Sequence, residues 1–208
     1  MPTRNHSALK LAGGVYSLTT TLVGWKHVFI KKEYLDFIIE SIRFFQDKRN
    51  VSTAGYCIMP SHVHWIFKLA EDSDDIAMVL RTMKSFTATQ LLKKIGLEAQ
   101  DKPLPIHSIF SAHRKVRIEM PRALLEYFTT AAQQKQDTDQ VHRFWQRNSD
   151  IKHIVSGRFL KQKLNYIHNN PVRKKWRLVE DPVDYPYSSC RYYMKGSDWN
   201  GLRIQPLY

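Results

Sequence analysis

Two apolar runs that flank a Pro-Ser pair decide the fold, in the stretch Val51-Ser-Thr-Ala-Gly-Tyr-Cys-Ile-Met-Pro-Ser-His-Val-His-Trp-Ile-Phe-Lys-Leu69. Both runs favour β-strands, and the Pro-Ser pair at 60–61 bends the chain between them. Alternation along the second run sorts its side chains onto two faces. One face holds Val63, Trp65 and Phe67, and the other holds His62, His64 and Ile66. The stretch therefore predicts a β-hairpin with one apolar face and one face that carries two histidines.

Upstream and directly downstream of this hairpin, hydrophobic periodicity predicts a strand and two helices. The strand is predicted at Tyr16–Val23, and the first helix at Glu33–Arg49 has a stripe of Leu35, Ile38, Ile42 and Phe45. The acidic stretch Glu71–Asp75 predicts a turn and the start of the second helix, because negative charge is favourable there. The stripe of that second helix is Ile76, Val79, Met83 and Phe86.

The second half of the chain is less regular. A long loop is predicted at Leu97–Arg117, with Pro103 and Pro105, then a helix at Pro121–Lys135, a polar linker at Gln136–Gln140 and a short strand at His142–Arg147. A helix follows at Gly157–Asn169, with Leu160, Leu164 and Ile167 as its core stripe. Pro171 should end it, because the residue before a proline is pushed out of helical geometry. The tail after Pro182 is predicted to be loop-like and aromatic.

The order strand, helix, strand, strand, helix, strand predicts an α+β fold. We expect a ferredoxin-like sandwich with an antiparallel sheet and helices on one or both faces, followed by a basic C-terminal helix and a tail. A single domain should span residues 1–208. Within it we expect a leader at 1–14, a core at 15–180 with a loop and helix insertion near 97–140, and a tail at 181–208. Because this fold hosts many unrelated functions, function has to be argued from individual residues.

The charge of the chain indicates a polyanionic partner. Lysine and arginine total 32 against 19 acidic residues, for a net charge of +13. Between residues 141 and 180, ten basic residues face two acidic ones, so this stretch alone carries +8. The ten are Arg143, Arg147, Lys152, Arg158, Lys161, Lys163, Arg173, Lys174, Lys175 and Arg177. A charge run can be a solvated helix face, but this concentration favours a nucleic-acid-binding surface.

Other classes of protein fit the sequence less well. No apolar run approaches the roughly 20 residues that span a bilayer, and residues 1–14 lack the apolar core of a secretion signal. The chain has two cysteines, which excludes a disulfide framework. No basic amphipathic helix with a bulky apolar face supports a membrane-surface role. We therefore expect a cytoplasmic, nucleoid-associated protein with no membrane partner.

His62 and His64 are the first candidate pair for chemistry. Their Cα atoms should lie about 6.5 Å apart on one strand face, so that the two imidazoles can converge on one ion. The alternative is that both are ordinary polar positions on a solvated sheet face. On either interpretation we expect them on the exposed face of the sheet.

Tyr166 and Asn170 are the second candidate pair. They are four residues apart, hence on one helix face, away from the apolar stripe. The alternative is a partly buried tyrosine with an asparagine that caps the helix end. His168 and Asn169 are equally available polar groups. Spacing alone therefore does not decide whether His168, Asn169 or Asn170 would join the two histidines as a third metal ligand.

Five blocks follow one another along the chain: Tyr16–Phe29, Gly55–His64, Phe144-Trp-Gln146, Phe159–Val172 and Asp184–Ser189. In this order they resemble the blocks of the HUH single-tyrosine transposases, and among these most closely the REP-associated tyrosine transposases. Two departures stand out: Ser61 occupies a position where relatives more often carry asparagine, and the segment from 97 to 140 matches no block of the family.

The resemblance implies a role for each candidate residue. Tyr166 would attack a phosphodiester of single-stranded DNA and form a 5′-phosphotyrosine, and His62, His64 and Asn170 would hold Mg²⁺ or Mn²⁺. The partner would be single-stranded DNA with hairpins near the protein's own gene, and the protein would act as a monomer or homodimer. The basic residues Arg143, Arg147, Arg158, Lys161, Lys163, Arg173, Lys174 and Lys175 would contact DNA. Trp145, Trp176 and the aromatic residues of the tail are candidates for stacking on unpaired bases.

Two rival functions use the same residues. The chain could be a non-catalytic DNA-binding module that descends from such an enzyme. It could also be a metal-dependent phosphodiesterase that hydrolyses with water and forms no tyrosine adduct. A cleavage assay with Mn²⁺ distinguishes the transposase from the non-catalytic module. A covalent protein–DNA band distinguishes it from the phosphodiesterase.

Overall fold

The computed structural model describes residues 13–71, 76–100, 108–110, 116–134 and 141–207. The strands are β1 (Val15–Thr21), β2 (Ser52–Met59), β3 (His62–Lys68) and β4 (Asp150–His153). The helices are α1 (Lys32–Lys48), α2 (Ile76–Gln100), α3 (Pro121–Gln133), α4 (Gly157–His168) and α5 (Cys190–Lys195). Short 3-10 turns lie at Val23–Trp25 and Pro182–Asp184. None of the helices in these ranges has the length and apolarity that a bilayer crossing requires.

The four strands form one antiparallel sheet in the order β2-β3-β1-β4. The two central strands, β1 and β3, are separated in the chain by α1 and β2, which is the ferredoxin-like arrangement. Across the sheet, Thr19 of β1 lies opposite His64 of β3 and opposite Asp150 of β4. The predicted α+β class and its antiparallel sheet are therefore confirmed.

One face of the sheet carries the apolar core. Val63, Trp65 and Phe67 are fully buried there, as strand alternation predicts. Helix α1 packs on this face through a contact between the Phe45 and Trp65 rings, whose centroids are 5.7 Å apart. The predicted α1 stripe is correct, since all four of its members are buried. Helix α2 lies beside α1.

Helix α4 covers the opposite face of the sheet, and Gly55 of β2 is the point of closest approach. A Cβ atom at Gly55 would lie 2.5 Å from Leu164 Cδ2 and 3.2 Å from Ser189 Oγ. Leu160 and Ile167 are buried and Leu164 is partly buried, so the predicted stripe of this helix does face the sheet. As a result the histidine face is covered, and the expectation that His62 and His64 lie on an exposed face is wrong: the two residues are 6% and 3% exposed.

The C-terminal tail is ordered along the outer edge of β2. The Ile58 amide donates to the Tyr187 carbonyl at 2.9 Å, and the Ser189 amide donates to the Tyr56 carbonyl at 3.0 Å. Further on, the Gln205 amide donates to the Thr53 carbonyl at 2.8 Å. These hydrogen bonds hold the tail against β2. The prediction of a loop-like tail is wrong for residues Cys190–Lys195, which form α5.

Three further predictions need correction. The strand expected at His142–Arg147 is reduced to one bridge between Leu22 and Trp145, and the fourth strand is Asp150–His153. The segment meets the end of β1 through the Val23 amide, which donates to the Phe144 carbonyl, and the Gln146 amide, which donates to the Thr21 carbonyl, and it forms no longer ladder among the described residues. Residues 97–100 continue α2 rather than starting the predicted loop. In the buried stripe of α2, Thr87 takes the place predicted for Phe86, which is 45% exposed.

Other predictions fall partly or wholly outside the described residues. They concern the leader at 1–12, positions 72–75 of the acidic stretch, the two prolines Pro103 and Pro105, and the linker at 136–140. The division into leader, core, insertion and tail stays a prediction.

We expect Gly55→Val to destabilise the protein by about 1–3 kcal/mol, because its side chain would meet Leu164 and push α4 away from the sheet. The measurement is the urea midpoint of unfolding. Gly96→Ala is the matched control, since a Cβ there meets nothing within 4 Å and alanine stabilises a helix by up to about 1 kcal/mol. Equal midpoints for Gly55→Val and the wild type would show that the contact is loose.

Candidate active site

The two histidines of β3 are oriented by hydroxyl groups on neighbouring residues. Thr19 Oγ1 lies 2.8 Å from His64 Nδ1, and Ser61 Oγ lies 3.1 Å from His62 Nδ1. Both Nδ1 atoms are thus engaged, which leaves the Nε2 atoms for a ligand. Hydroxyl, carbonyl or carboxylate partners of this kind usually fix the ring orientation of metal-binding histidines. Ser61 therefore has a structural part in the site.

Burial keeps both imidazoles uncharged at neutral pH. Removal from water lowers the pKa of His64 to about 3, with a further contribution from the Arg173 and Lys163 cations. Removal from water also lowers the pKa of His62 well below its usual value, helped by the nearby His64 and Lys175. Neutral imidazole is the form that binds metal ions.

The end of α4 brings one asparagine to the histidine pair. Ser156 caps the start of the helix by accepting from the Phe159 amide at 3.3 Å. The helix ends before Pro171, as predicted, and Asn170 Nδ2 then lies 3.0 Å from His64 Nε2. Because the amide oxygen and nitrogen are interchangeable by a half-turn of the side chain, the same position can present an oxygen.

The other two polar candidates of this motif point elsewhere. His168 is buried, and its Nε2 lies 2.8 Å from Ser189 Oγ on the tail side of the helix. Asn169 is exposed and donates to the Asn165 carbonyl at 2.8 Å. Of the three residues that spacing left open, Asn170 is the one that the fold brings to His64.

The residues present fit a hard divalent ion with mixed ligands. Neighbouring ligands of an octahedral ion at about 2.1 Å are separated by roughly 3 Å, the same as the distance between Asn170 and His64. The His62 and His64 rings are 4.8 Å apart and perpendicular. Within the described ranges, no group of three His, Cys, Asp or Glu side chains could hold a metal. The candidate ligand set is therefore two imidazoles and one amide, with the remaining positions open to water or a phosphate.

Tyr166 lies beside this ligand set and is open to solvent. Its side chain is 43% exposed, and its ring centroid is 5.7 Å from that of His64. The Arg173 guanidinium lies 4.2 Å from the ring centroid and the Lys163 ammonium 5.9 Å from it. The site thus combines an accessible hydroxyl, two cations and neutral imidazoles.

Two tyrosines of the tail that could compete as nucleophiles are buried. Tyr185 is 0% exposed and donates to the Ile58 carbonyl at 2.7 Å. Tyr187 is 5% exposed and donates to Asp36 at 3.1 Å. Both hydroxyls are committed to the fold, so neither is available to a DNA strand.

A cleft of about 450 Å³ opens over the site. Its lining comprises Ser17, Thr19, Thr21, Trp25, His64, Gln146, Asn148, Asp150, Lys163, Tyr166 and Ile167. Sequence reasoning missed Thr19, Trp25 and Asp150 as parts of the site. The strand pattern of β1 could have indicated Thr19, because alternation puts it on one face with Ser17 and Thr21.

The predicted DNA-binding residues fall into two groups. Three of them stand at the site: Lys163 lines the cleft, Arg173 lies over the Tyr166 ring and Lys175 lies over the Trp25 ring. The others surround it: Arg158 and Lys161 are exposed on α4, Arg147 is next to two residues of the cleft, Lys174 is exposed, and Arg143 is half-buried. Lys163, Arg173 and Lys175 are therefore the cations best placed for a strand in the cleft.

The proposed stacking residues are mostly buried. Trp145 donates to Thr87 at 3.1 Å and belongs to the core. Trp176 is 5% exposed and packs against His62 and His27, with ring centroids 5.9 and 5.3 Å away. Trp176 forms a wall of the site, and neither indole offers much free ring surface to a base.

Comparisons with known proteins point to the family that the motifs resemble. The chain is 24% identical over 194 residues, 91% of it and 89% of the relative, to a Haemophilus influenzae protein named "Putative REP-associated tyrosine transposase". Its fold is similar to that of a REP-associated tyrosine transposase solved in complex with a REP hairpin. That similarity has a TM-score of 0.59 at 17% identity and covers 100% of this chain and 94% of the other. No family model matches the chain. The resemblance to the REP-associated tyrosine transposases is thereby confirmed.

Two adjacent threonines of β1 test how His64 is held. Thr19→Val should destabilise the protein by about 1–3 kcal/mol, because it leaves the Nδ1 atom of a buried ring without its partner. Thr20→Val is the matched control: the Thr20 hydroxyl is buried without a partner among the described residues, so its removal should be neutral or stabilising. Chemical denaturation of both variants measures the difference. Equal losses of stability would contradict the assigned hydrogen bond.

Proposed function

We propose that this chain is a metal-dependent DNA transposase of the HUH single-tyrosine kind, which nicks and rejoins single-stranded DNA through a 5′-phosphotyrosine. The observation that carries the proposal is the position of Tyr166. Its exposed phenol lines a cleft, and its ring contacts His64 of the buried, neutral histidine pair. The likeness to a named transposase over nine-tenths of the chain supports the same conclusion.

The chain's own residues would bring a strand and the nucleophile together. Lys163 and Arg173 flank the Tyr166 ring, so they can bind the phosphodiester beside the phenol and offset the charge that develops during attack. Tyr166 Oη would form a bond to phosphorus, and the bond from phosphorus to the 3′-oxygen would break. The strand on the 5′ side would leave with a free 3′-hydroxyl.

The metal site would be made by His62, His64 and Asn170. A bound Mg²⁺ or Mn²⁺ would supply Lewis-acid polarisation of the scissile phosphate and charge stabilisation at the departing oxygen. Thr19 and Ser61 would keep both rings in the orientation that leaves Nε2 for the ligand. With two nitrogen ligands and one oxygen ligand from the protein and no thiolate nearby, these two ions suit the set.

Rejoining would follow from the same residues. The tyrosine ester keeps the energy of the broken phosphodiester, so a 3′-hydroxyl from another strand can attack it and release Tyr166. No nucleoside triphosphate is required. The open cleft leaves room for the incoming strand on the side of Tyr166 that faces solvent.

The partner we propose is single-stranded, hairpin-bearing DNA near the protein's own gene, which would place the protein in the cytoplasm at the nucleoid. The structural neighbour was solved with a REP hairpin, and the cations around the cleft of this chain suit a phosphate backbone. Whether one chain completes the site or a second copy donates Tyr166 does not affect this choice of partner.

Tyr166→Phe should abolish a covalent protein–DNA adduct while DNA binding changes little, because the ring and its cations remain. The measurement is a denaturing gel of protein mixed with labelled hairpin DNA and Mn²⁺. Tyr193→Phe is the control, since Tyr193 is similarly exposed at 37% but donates to the Ala54 carbonyl away from the cleft. Cleavage without any adduct in the wild type would indicate hydrolysis by water, and binding without cleavage would indicate a non-catalytic module.

Asn170→Ala should reduce cleavage mainly by weakening metal binding, so excess Mn²⁺ should partly restore activity. Asn170→Asp should keep or strengthen metal binding, because a carboxylate is a harder, charged ligand. Asn169→Ala serves as the control for the helix end, as its side chain caps a carbonyl on the exposed side. Mn²⁺ titration and melting temperature are measured on each variant. A destabilised Asn170→Ala protein with unchanged Mn²⁺ affinity would remove Asn170 from the metal site.

A further inference from the structure

Two of the five tryptophans are half exposed, and one of them stands at the cleft. Trp65, Trp145 and Trp176 are buried, whereas Trp25 and Trp199 are 50% and 49% exposed. Trp25 lines the cleft that contains Tyr166, and Trp199 does not. A large apolar ring left half in water at a polar site contributes little to folding by burial.

The backbone at Trp25 is held in a conformation that a bulky residue rarely adopts. Gly24 has φ 64° and Trp25 has φ 55°, so two successive residues lie in the left-handed region. A Cβ at Gly24 would lie 2.0 Å from the Tyr127 hydroxyl, so any other residue there would require the Tyr127 side chain to move. Two backbone hydrogen bonds hold the turn. The Val23 amide donates to the Phe144 carbonyl at 3.0 Å, and the Trp25 amide closes the turn by donating to the Leu22 carbonyl at 3.1 Å. Strain of this kind concentrates at functional sites.

The turn aims the indole at the histidine pair. The ring centroids of Trp25 and His62 are 5.7 Å apart in an edge-on contact, and the Lys175 ammonium lies 4.9 Å from the Trp25 centroid. Tyr166 contacts the other histidine, so each histidine of the pair has one aromatic neighbour that lines the cleft. A cation and a half-exposed aromatic face therefore stand next to the place where the scissile phosphate would bind.

We propose that Trp25 is a stacking platform for an unpaired base of single-stranded DNA in the nucleotides next to the scissile phosphate, with Lys175 at the adjoining backbone. This inference rests on the proposed function and adds a base-binding position to it. An aromatic face beside a cation is the combination that single-strand binders use, and it tolerates any base because every base has a π-face. Base pairs in a duplex are already stacked and offer no free face here.

The test compares binding of an oligothymidylate with binding of an oligomer of equal length in which every nucleotide is abasic. Chelator is present throughout, so that no adduct forms and the result does not depend on cleavage. Trp25→Gly should weaken binding of the oligothymidylate by roughly tenfold and leave the affinity for the abasic oligomer unchanged. Trp25→Phe should keep most of the base-dependent affinity. Trp199→Ala, which removes an equally exposed indole outside the cleft, should change the affinity for neither oligomer.

Stability measured on the same variants separates binding from a structural role. Glycine relieves the positive φ, so Trp25→Gly should unfold at the same denaturant concentration as the wild type or a higher one. A lower midpoint together with unchanged base-dependent affinity would overturn the proposal and make the ring a structural wall. Equal weakening of both oligomers would overturn it too, since the contact would then be with phosphate. Failure of the wild type to form an adduct bears on the proposed function alone.

Discussion

The close approach of α4 to the sheet at Gly55 is the constraint on which the site depends. Because no side chain intervenes there, Leu164 and Ile167 reach the sheet directly and the helix lies flat over the histidine face. That packing removes His64 from water, which lowers its pKa to about 3. It also sets the end of the helix, so that Asn170 meets His64 and Tyr166 remains at the rim. The close approach at Gly55 thus contributes to the protonation of His64, the position of Asn170 and the exposure of Tyr166.

Buried neutral imidazoles are an unfavourable choice for stability unless their polar atoms are paired. Here each Nδ1 atom meets a hydroxyl, one from β1 and one from the hairpin turn. The two hydroxyls belong to small residues: Thr19 is the cross-strand partner of His64, and Ser61 lies in the turn directly before His62. Cations from the helix and the loop after it lie around the site, which makes it positive even though the imidazoles are neutral. Such a field suits the polyanion that we propose as the partner.

Much of the fold could be predicted from periodicity, and the parts that could not have physical reasons. The histidine pair, the apolar face of β3 and the α1 stripe followed from alternation and helical spacing alone. Asp150–His153 was missed because a four-residue edge strand with polar members carries no clear alternation. Spacing alone could not choose Asn170, which the family resemblance implied, over His168, because that choice depends on where the chain turns after the helix and on Ser189, which lies in the tail. Trp25 was missed because its importance comes from a backbone conformation, and positive φ at a tryptophan has no sequence signal.

The tail along β2 has a consequence for how copies of this protein can meet. A bare outer strand invites another chain to extend the sheet, which is a common route to aggregation. Residues 187–189 and 204–205 occupy the hydrogen-bonding groups of β2 on that side, and the opposite edge strand is four residues long. Sheet extension is therefore obstructed at the β2 edge, and the β4 edge offers only four residues for it. Loss of the last twenty or so residues would expose that edge, and a shortened chain would tend to self-associate even with its cleft intact.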